Sequence, residues 1–381
     1  MVYLDHCAKL SGAEIALARL LDALGDAVDP HVILGEDGPL VARLEDVGAR
    51  VEVIEMPKRV ATVTRNRVGS GLDPRAAARA AWYSARLVPV LRRLRPDLVH
   101  TNSLKAAFYG VPAARAAGVP AVWHLRDHIT PDYMSATAVH LVRAAIRTLP
   151  TAVVANSTAT LATVSRARRG SVVPNAVPLP ALPDAVPRPA AMPNSRPLRI
   201  VVLGRLAYWK GQDVFLDAFA AAFPRGGATA RIVGSAMFAE DHYEEQLRGQ
   251  AKRLGIADRV EFCGFREDIW PELAASDVLV HCSRTAEPFG QVVIEGLGAG
   301  LAVIASDAGG PAEILTDGVD GVLVPPGDAR ALGAAMVRLG DRAMRERLSA
   351  AGRLTASAYS PARASANMLA VYRSLTRARS R

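Results

Sequence analysis

The sequence predicts an α/β protein built from two parallel-sheet domains. Three observations carry this. The chain has 381 residues, more than a single hydrophobic core usually serves. Short β-rich runs alternate with amphipathic helical runs in both halves, the order that parallel sheets with crossover helices require. Between the halves, residues 178–197 read PLPALPDAVPRPAAMPNSRP. Proline at that density continues neither a helix nor a central strand, so the stretch reads as a semi-rigid linker.

The elements follow in order. In the first half the strands are MVYLD, DPHVILG, RVEVIEM, DLVHTN, PAVWHL and AVVANS, with helices such as AEIALARLLDAL and ARLVPVLRRL between them. In the second half LRIVVLGRL is a strand, QDVFLDAFAAAF a helix, ARIVGS a strand, YEEQLRGQAKRLG a helix and RVEFCGF a strand. DIWPELAAS then gives a helical turn, DVLVHCS a strand, GQVVIEGLGAG a helix and AVIASD a strand. The last stretch, SPARASANMLAVYRSLTRARSR, is helical in pattern and a candidate to cross back and brace the first domain. The expected boundaries are 1–180, a linker over 181–197, 198–360, and a terminal helix over 361–381. Two such sheets create a cleft, and ligands in these folds sit at the carboxyl ends of the strands.

Composition narrows the class. Half the residues are hydrophobic and 22% are charged, which suits a folded globular chain. No apolar run is long enough to span a bilayer, and the N-terminus lacks a basic segment followed by an apolar one, so no signal peptide is expected. Cys7, Cys263 and Cys282 are odd in number and far apart, which reads as reduced thiols in a cytoplasm. The absence of Cys-x-x-Cys, His-Glu-x-x-His and Asp-x-Asp leads us to expect no metal.

The formal charge is +9, and only five of the 46 basic residues are lysines. Basic residues cluster in RLVPVLRRLRP (86–96), SRARRG (165–170) and the C-terminal RSLTRARSR. Such clusters suit either a solvated helix face or anionic lipid and phosphorylated substrates. No nucleic-acid-binding signature accompanies them, so nucleic acid is not expected as a partner. Residues 65–95 combine arginines with Trp82, Tyr83 and leucines, a pattern equally suited to an amphipathic packing helix or to docking on an anionic membrane surface.

Two stretches carry chemistry. In VVLGRLAYWKGQD an apolar strand ends at Gly204, and Arg205 and Lys210 follow in a loop that opens a helix. Strand ends and helix N-termini already favour anions, and two cations there make a diphosphate pocket. In RTAEPFGQVVIEGLGAG, Glu287 and Glu295 stand with seven residues between them around a Pro-Phe-Gly turn. Pro288 stiffens the turn, and Gly290 lets backbone approach a ligand. Glu295 has apolar neighbours, so its carboxylate needs donors. Ribose hydroxyls suit Glu295 and hexose hydroxyls suit Glu287, so the pair is read as gripping the two polyol ends of a nucleotide sugar. Gly296, Gly298 and Gly300 close a helix instead of opening one, so they are read as packing glycines and not as a dinucleotide fingerprint.

GRLAYWKG, AEPFGQVVIEGLGAG and SDAGGPAEIL, together with SGAEIALARLL, HTNSLKAAFYG, VPAVWHLRDH and VVPNAVP, resemble the retaining glycosyltransferases of family 4 over nearly the whole chain. The resemblance implies the GT-B fold, two Rossmann-like domains with parallel sheets facing a central cleft. It implies transfer of a hexose from a nucleoside-diphosphate sugar to a small-molecule or lipid-linked hydroxyl acceptor, in polysaccharide, glycolipid or natural-product glycoside biosynthesis, without metal or other cofactor. Arg205 and Lys210 match the donor-pyrophosphate clamp, and Glu295 matches the ribose binder. Glu287, with the backbone at Phe289 and Gly290, matches the holder of the transferred sugar. Gly264, Phe265 and Arg266 are similar to the base-contacting turn. His124 matches the cleft histidine near the reacting sugar, and Gly12 the loop that closes on phosphate or acceptor. The chain departs from the family pattern in two places: Ser11 stands before Gly12 where a second glycine is usual, and PNAVP (174–178) lacks the usual carboxylate. Two other readings stay open at this point: a nucleotide-sugar epimerase of the same fold, and a non-catalytic protein that binds nucleotide sugar or membrane.

Overall fold

The apolar residues of the central strands are buried on both faces of the sheet. In β1 (Val2–Asp5), Val2 and Leu4 join one core while Tyr3 joins another on the opposite side of the sheet, as a side-chain period of two requires. The structure is a computed structural model that describes residues 1–56, 74–164, 167, 169–179, 196–236 and 240–376. Most of the expected linker, part of the 165–170 cluster, and residues 65–73 and 377–381 lie outside the described residues. The chain divides into two units, Met1–Val177 with Pro361–Arg381, and Pro178–Ser360.

The first unit holds a seven-stranded sheet in the order β3-β2-β1-β4-β5-β6-β7, every neighbour parallel. The remaining strands are β2 (His31–Leu34), β3 (Arg50–Val53), β4 (Val99–Thr101), β5 (Ala121–Leu125), β6 (Ala152–Ala155) and β7 (Gly170–Val172). The helix Pro74–Leu94 buries Tyr83, Leu87 and Leu91, a stripe at intervals of four, and leaves Trp82 exposed with Arg86 stacked over its ring at 4.9 Å. The C-terminal helix Pro361–Thr376 packs Met368, Tyr372 and Leu375 against Leu17, Leu20 and Leu21 of the helix Gly12–Leu24. It is thus part of the first unit's core, although it follows the second unit in sequence.

The second unit holds a six-stranded parallel sheet in the order β10-β9-β8-β11-β12-β13. Its strands are β8 (Leu198–Leu203), β9 (Ala228–Val233), β10 (Val260–Gly264), β11 (Val278–His281), β12 (Ala302–Ser306) and β13 (Val322–Val324). Of the three glycines read as packing residues, only Gly296 meets the sheet. A Cβ there would stand 3.0 Å from Leu279 Cδ1 of β11 and 3.2 Å from Val303 of β12.

Asp277 anchors the start of β11. Arg196 donates to both of its carboxylate oxygens at 2.7 and 2.8 Å, and the backbone N–H of Arg199 adds a third bond at 2.9 Å. Burial alone pushes this carboxyl up, but these donors more than offset it and bring it down to about 2. A depressed carboxylate contributes stability that is complete above its unfolded value and is lost as pH falls through the folded one. We therefore expect Asp277→Asn to cost on the order of 2 kcal/mol at neutral pH. In chemical melts the gap between the variants should close as pH falls from about 4 toward 2; a gap that stays constant with pH would show that the pairing contributes nothing.

Candidate active site

In the second unit β8 has β9 on one side and β11 on the other. Chain order reverses there, so the loops leaving β8 and β11 diverge at the carboxyl edge, where ligands bind in open α/β sheets. The two loops are stitched together. The backbone N–H of Arg284 donates to the carbonyl of Trp209 at 2.8 Å, and the Cys282 thiol donates to the carbonyl of Lys210 at 3.3 Å. Gly211 permits the approach: its φ is +71°, and a Cβ there would lie 2.0 Å from the Cys282 carbonyl oxygen.

Glu287 sits where these loops meet. Its Oε2 accepts from Lys210 Nζ at 2.7 Å, from His281 Nε2 at 2.7 Å and from Ser283 Oγ at 3.0 Å. The Glu287 side chain is 13% exposed and that of Lys210 14%. The backbone N–H of Ser306 points at His281 Nδ1, 3.4 Å away, which assigns the imidazole proton to Nε2 and aims it at the carboxylate. Burial works against ionisation of Glu287, but Lys210 and His281 more than offset it and hold this carboxyl well below the usual carboxylate range. A carboxylate, an ammonium and an imidazole N–H thus meet at one point.

The other residues singled out in this half lie around the same edge. Arg205 pairs with Glu240 at 3.6 Å and stands 5.9 Å from the Trp209 ring, over which Lys210 Nζ lies at 4.5 Å. Arg205 therefore shares a loop with Lys210 and pairs with Glu240. Glu295 is buried in the helix Gln291–Gly298, one turn from Gln291, whose amide donates to it at 3.3 Å. Gly290 caps that helix with φ of +90°, where a Cβ would stand 2.8 Å from Pro311 Cγ, and Phe289 is buried beside it. Gly264 ends β10 with φ of +69°; Phe265 is 48% exposed, and Arg266 is tied to Glu272 at 3.1 Å.

His124 and Gly12 belong to the first unit. Gly12 opens its helix with nothing within 4 Å of a would-be Cβ, and Ser11 donates to Glu14. His124, on β5, is fully inside: its Nδ1 lies 3.0 Å from His100 Nε2, and Tyr372 OH lies 2.8 Å from His100 Nδ1. Burial, with Arg126 adding to it, pushes His100 down to about 3 and His124 well below its ordinary value. Both rings are neutral at physiological pH.

Sequence reasoning missed several polar residues here. Asn102 donates to Asp5 at 2.6 Å and accepts from Arg126 Nε at 2.8 Å, while Arg126 Nη1 donates to Asn175 at 2.7 Å. Asp5, His6 and Glu14 each bring a ligand-type atom within 4.8 Å of the others. Burial and the neighbouring Asp5 push Glu14 up, while hydrogen bonds from His6, Asn102 and Ser103 outweigh burial and hold Asp5 down. His281 was missed as well. The available signal is a polar residue closing an otherwise apolar parallel strand: Asp5 in β1, His281 in β11.

Residues 197–342 match the family model described as Glycosyl transferases group 1, and residues 10–179 match Glycosyltransferase Family 4. A GDP-mannose-dependent alpha-mannosyltransferase of Mycobacterium tuberculosis is 32% identical over 348 residues, 84% of this chain and 82% of that protein. The solved structure of Anabaena HepE in complex with UDP and glucose superposes with a TM-score of 0.82 at 28% identity, covering 97% of this chain and 98% of that one. Lipopolysaccharide core biosynthesis glycosyltransferase LpsD of Rhizobium meliloti is 44% identical, over 28% of this chain and 32% of its own length. Against two further curated relatives the match spans 18% and 44% of their lengths, so the chain aligns with less than half of each of these three. The chain belongs to the family 4 glycosyltransferases, the glycosyl transferases of group 1, and its two Rossmann-like parallel sheets are those of the GT-B class.

His281→Leu removes one of three donors from a buried carboxylate. It should lower stability by about 1–3 kcal/mol in urea melts. His281→Gln, whose amide nitrogen stands near the place of Nε2, should recover most of the loss. Equal stability of all three proteins would mean that His281 does not support Glu287.

Proposed function

We propose that the chain transfers a hexose from a nucleoside-diphosphate sugar to a hydroxyl acceptor, with retention of the anomeric configuration and without a metal. One observation carries this reading: in a chain of this family, the loops on both sides of the sheet's switch point join through Lys210 and the part-buried Glu287. All three donors recorded on Glu287 use Oε2, so Oε1 is the oxygen to accept from hydroxyls of the transferred sugar. Glu295 takes the ribose hydroxyls. The backbone at Phe289 and Gly290, opening a helix, and the exposed face of Phe265 with Gly264 and Arg266 complete the donor contacts at the sugar and base ends.

Bond cleavage leaves negative charge on the departing diphosphate. Arg205 and Lys210 neutralise it where it develops, a role that fixed cations fill without reorganising during the reaction. The departing phosphate deprotonates the acceptor on the face it leaves, so the transfer needs no protein nucleophile. The sequence has no Asp-x-Asp, the pattern expected where a metal holds the diphosphate, which supports the two cations in that role.

The structural neighbour complexed with UDP-glucose supports a uridine donor, and the mannosyltransferase relative supports a guanosine one. Relatives named for lipopolysaccharide core biosynthesis support an acceptor in polysaccharide or glycolipid assembly. Among the described residues no helix is long and apolar enough to cross a membrane. The exposed Trp82–Arg86 pair supports contact of a cytoplasmic protein with an anionic membrane surface.

Thermal shift against a panel containing UDP-glucose and GDP-mannose should raise the melting temperature with the true donor, because a ligand of the native state stabilises it. With that donor, Glu295→Ala should raise KM on the order of tenfold, as loss of a hydrogen bond to a charged group does. Lys210→Ala should chiefly lower kcat, on the order of 10²–10³. Parent rates in both variants would remove the site from this location. Turnover in excess chelator should equal that in its absence, and complete loss would overturn the metal-free account.

A further inference from the structure

Trp209 lies within reach of both cations of the candidate site. Lys210 Nζ is 4.5 Å from the centre of its ring and Arg205 Cζ 5.9 Å from it, both inside the range in which an aromatic face attracts a cation. The backbone that carries the ring is fixed. The Trp209 carbonyl accepts from the backbone N–H of Arg284 at 2.8 Å, and the next carbonyl, that of Lys210, accepts from the Cys282 thiol at 3.3 Å. Trp209 is part-buried, in the short turn Tyr208–Lys210. All of these groups belong to the second unit.

Each cation has a carboxylate partner as well. Lys210 Nζ is 2.7 Å from Glu287 Oε2, and Arg205 Nη1 is 3.6 Å from Glu240 Oε2. The two kinds of partner act differently. A carboxylate neutralises the cation it holds and competes with a phosphate for it. A ring has no net charge: its face attracts a cation through the quadrupole and leaves the positive charge whole. Arginine and lysine side chains also lose much rotamer freedom when held. A fixed indole near both of them restricts that freedom before any ligand arrives, so less of it is lost on binding.

We propose that Trp209 is a positioning residue for donor cleavage: its indole face holds Arg205 and Lys210 where they meet the diphosphate, without neutralising either. This rests on the reading of Arg205 and Lys210 as the diphosphate clamp made above. The negative charge on the diphosphate grows as the bond to the sugar breaks. Cations that have drifted from their places therefore weaken the transition state more than they weaken the bound donor. Glu287 and Glu240 hold the same cations by opposite charge, and the ring is the partner that a diphosphate does not have to displace.

The test uses the full 381-residue chain and the nucleotide sugar chosen by thermal shift. Trp209→Leu keeps apolar bulk but removes the ring face; kcat should fall about tenfold with little change in KM, the mark of an interaction used in the transition state. Trp209→Phe, which keeps an aromatic face, should recover most of the rate. In a chain already carrying Lys210→Ala, Trp209→Leu should cost less than about threefold more, because one of the two cations it holds is gone. Parent kcat in Trp209→Leu, alongside a large loss in Lys210→Ala, would overturn the positioning role and leave the clamp standing. Equal losses in Trp209→Leu and Trp209→Phe would overturn it too, since the ring face would then be irrelevant, and so would a full tenfold loss on top of Lys210→Ala. Parent kcat in Lys210→Ala would instead remove the clamp reading, and the role of Trp209 with it. Should Trp209→Leu fail to fold, growth on difluorinated tryptophan, which drains negative potential from the ring face at nearly constant shape, decides the question. The rate should then fall by a larger factor in the parent sequence than in Trp209→Phe, and equal factors would sink the proposal.

Discussion

The second unit depends on one largely enclosed carboxylate. Taking Glu287 out of water costs several kcal/mol unless donors replace the lost hydration, and those donors come from different parts of the chain: Lys210 from the loop after β8, His281 from the end of β11, Ser283 from the loop that follows. The carboxylate is therefore tolerable only if both loops leave the sheet in register. The Cys282–Lys210 and Arg284–Trp209 hydrogen bonds and the glycine at 211 maintain that register. Packing and electrostatics constrain each other here: a shift of one loop would separate the ammonium from the acid, and loss of the acid would leave an equally enclosed cation without its partner.

The first unit applies a similar rule with different groups. Asp5, Asn102 and Arg126 come from the carboxyl ends of β1, β4 and β5, which are consecutive in the sheet. The negative Asp5 and positive Arg126 are linked through the neutral amide of Asn102, which donates to one and accepts from the other. Burying the charges this way satisfies their hydrogen bonds without drawing them into direct contact. The backbones of the central strands supply the spacing, and the side chains supply the polarity.

Much of the fold was legible because its signals are periodic. Ten of the strands fall within runs read from β-rich alternation, an eleventh, β9, starts two residues before its run, and the carboxyl-end loops at Gly204–Lys210 and Arg284–Gly290 follow from strand endings and turn residues. The two strands not read, β7 and β13, have three residues each, as does β4, which was read, so length alone does not explain the miss. The helices Gly310–Ile314, Ala329–Arg338 and Arg342–Ser357 lie past the last strand run and were not separated. Partners at the site were less legible, because contact between Lys210 and Glu287 spans 77 residues and no local pattern encodes it. His281 and His100 stand in apolar strands, where a single polar residue reads as tolerated until the neighbouring strand is known.

The position of the C-terminal helix has a consequence for biosynthesis. Leu17, Leu20 and Leu21 precede the second unit in the chain, but their packing partners Met368, Tyr372 and Leu375 follow it. The second unit is continuous in sequence and has all its core residues once the ribosome has passed Ser360. Domains generally fold as units, the earlier before the later; here the order inverts, and the half made first waits with an apolar face uncovered until the helix Pro361–Thr376 has been made.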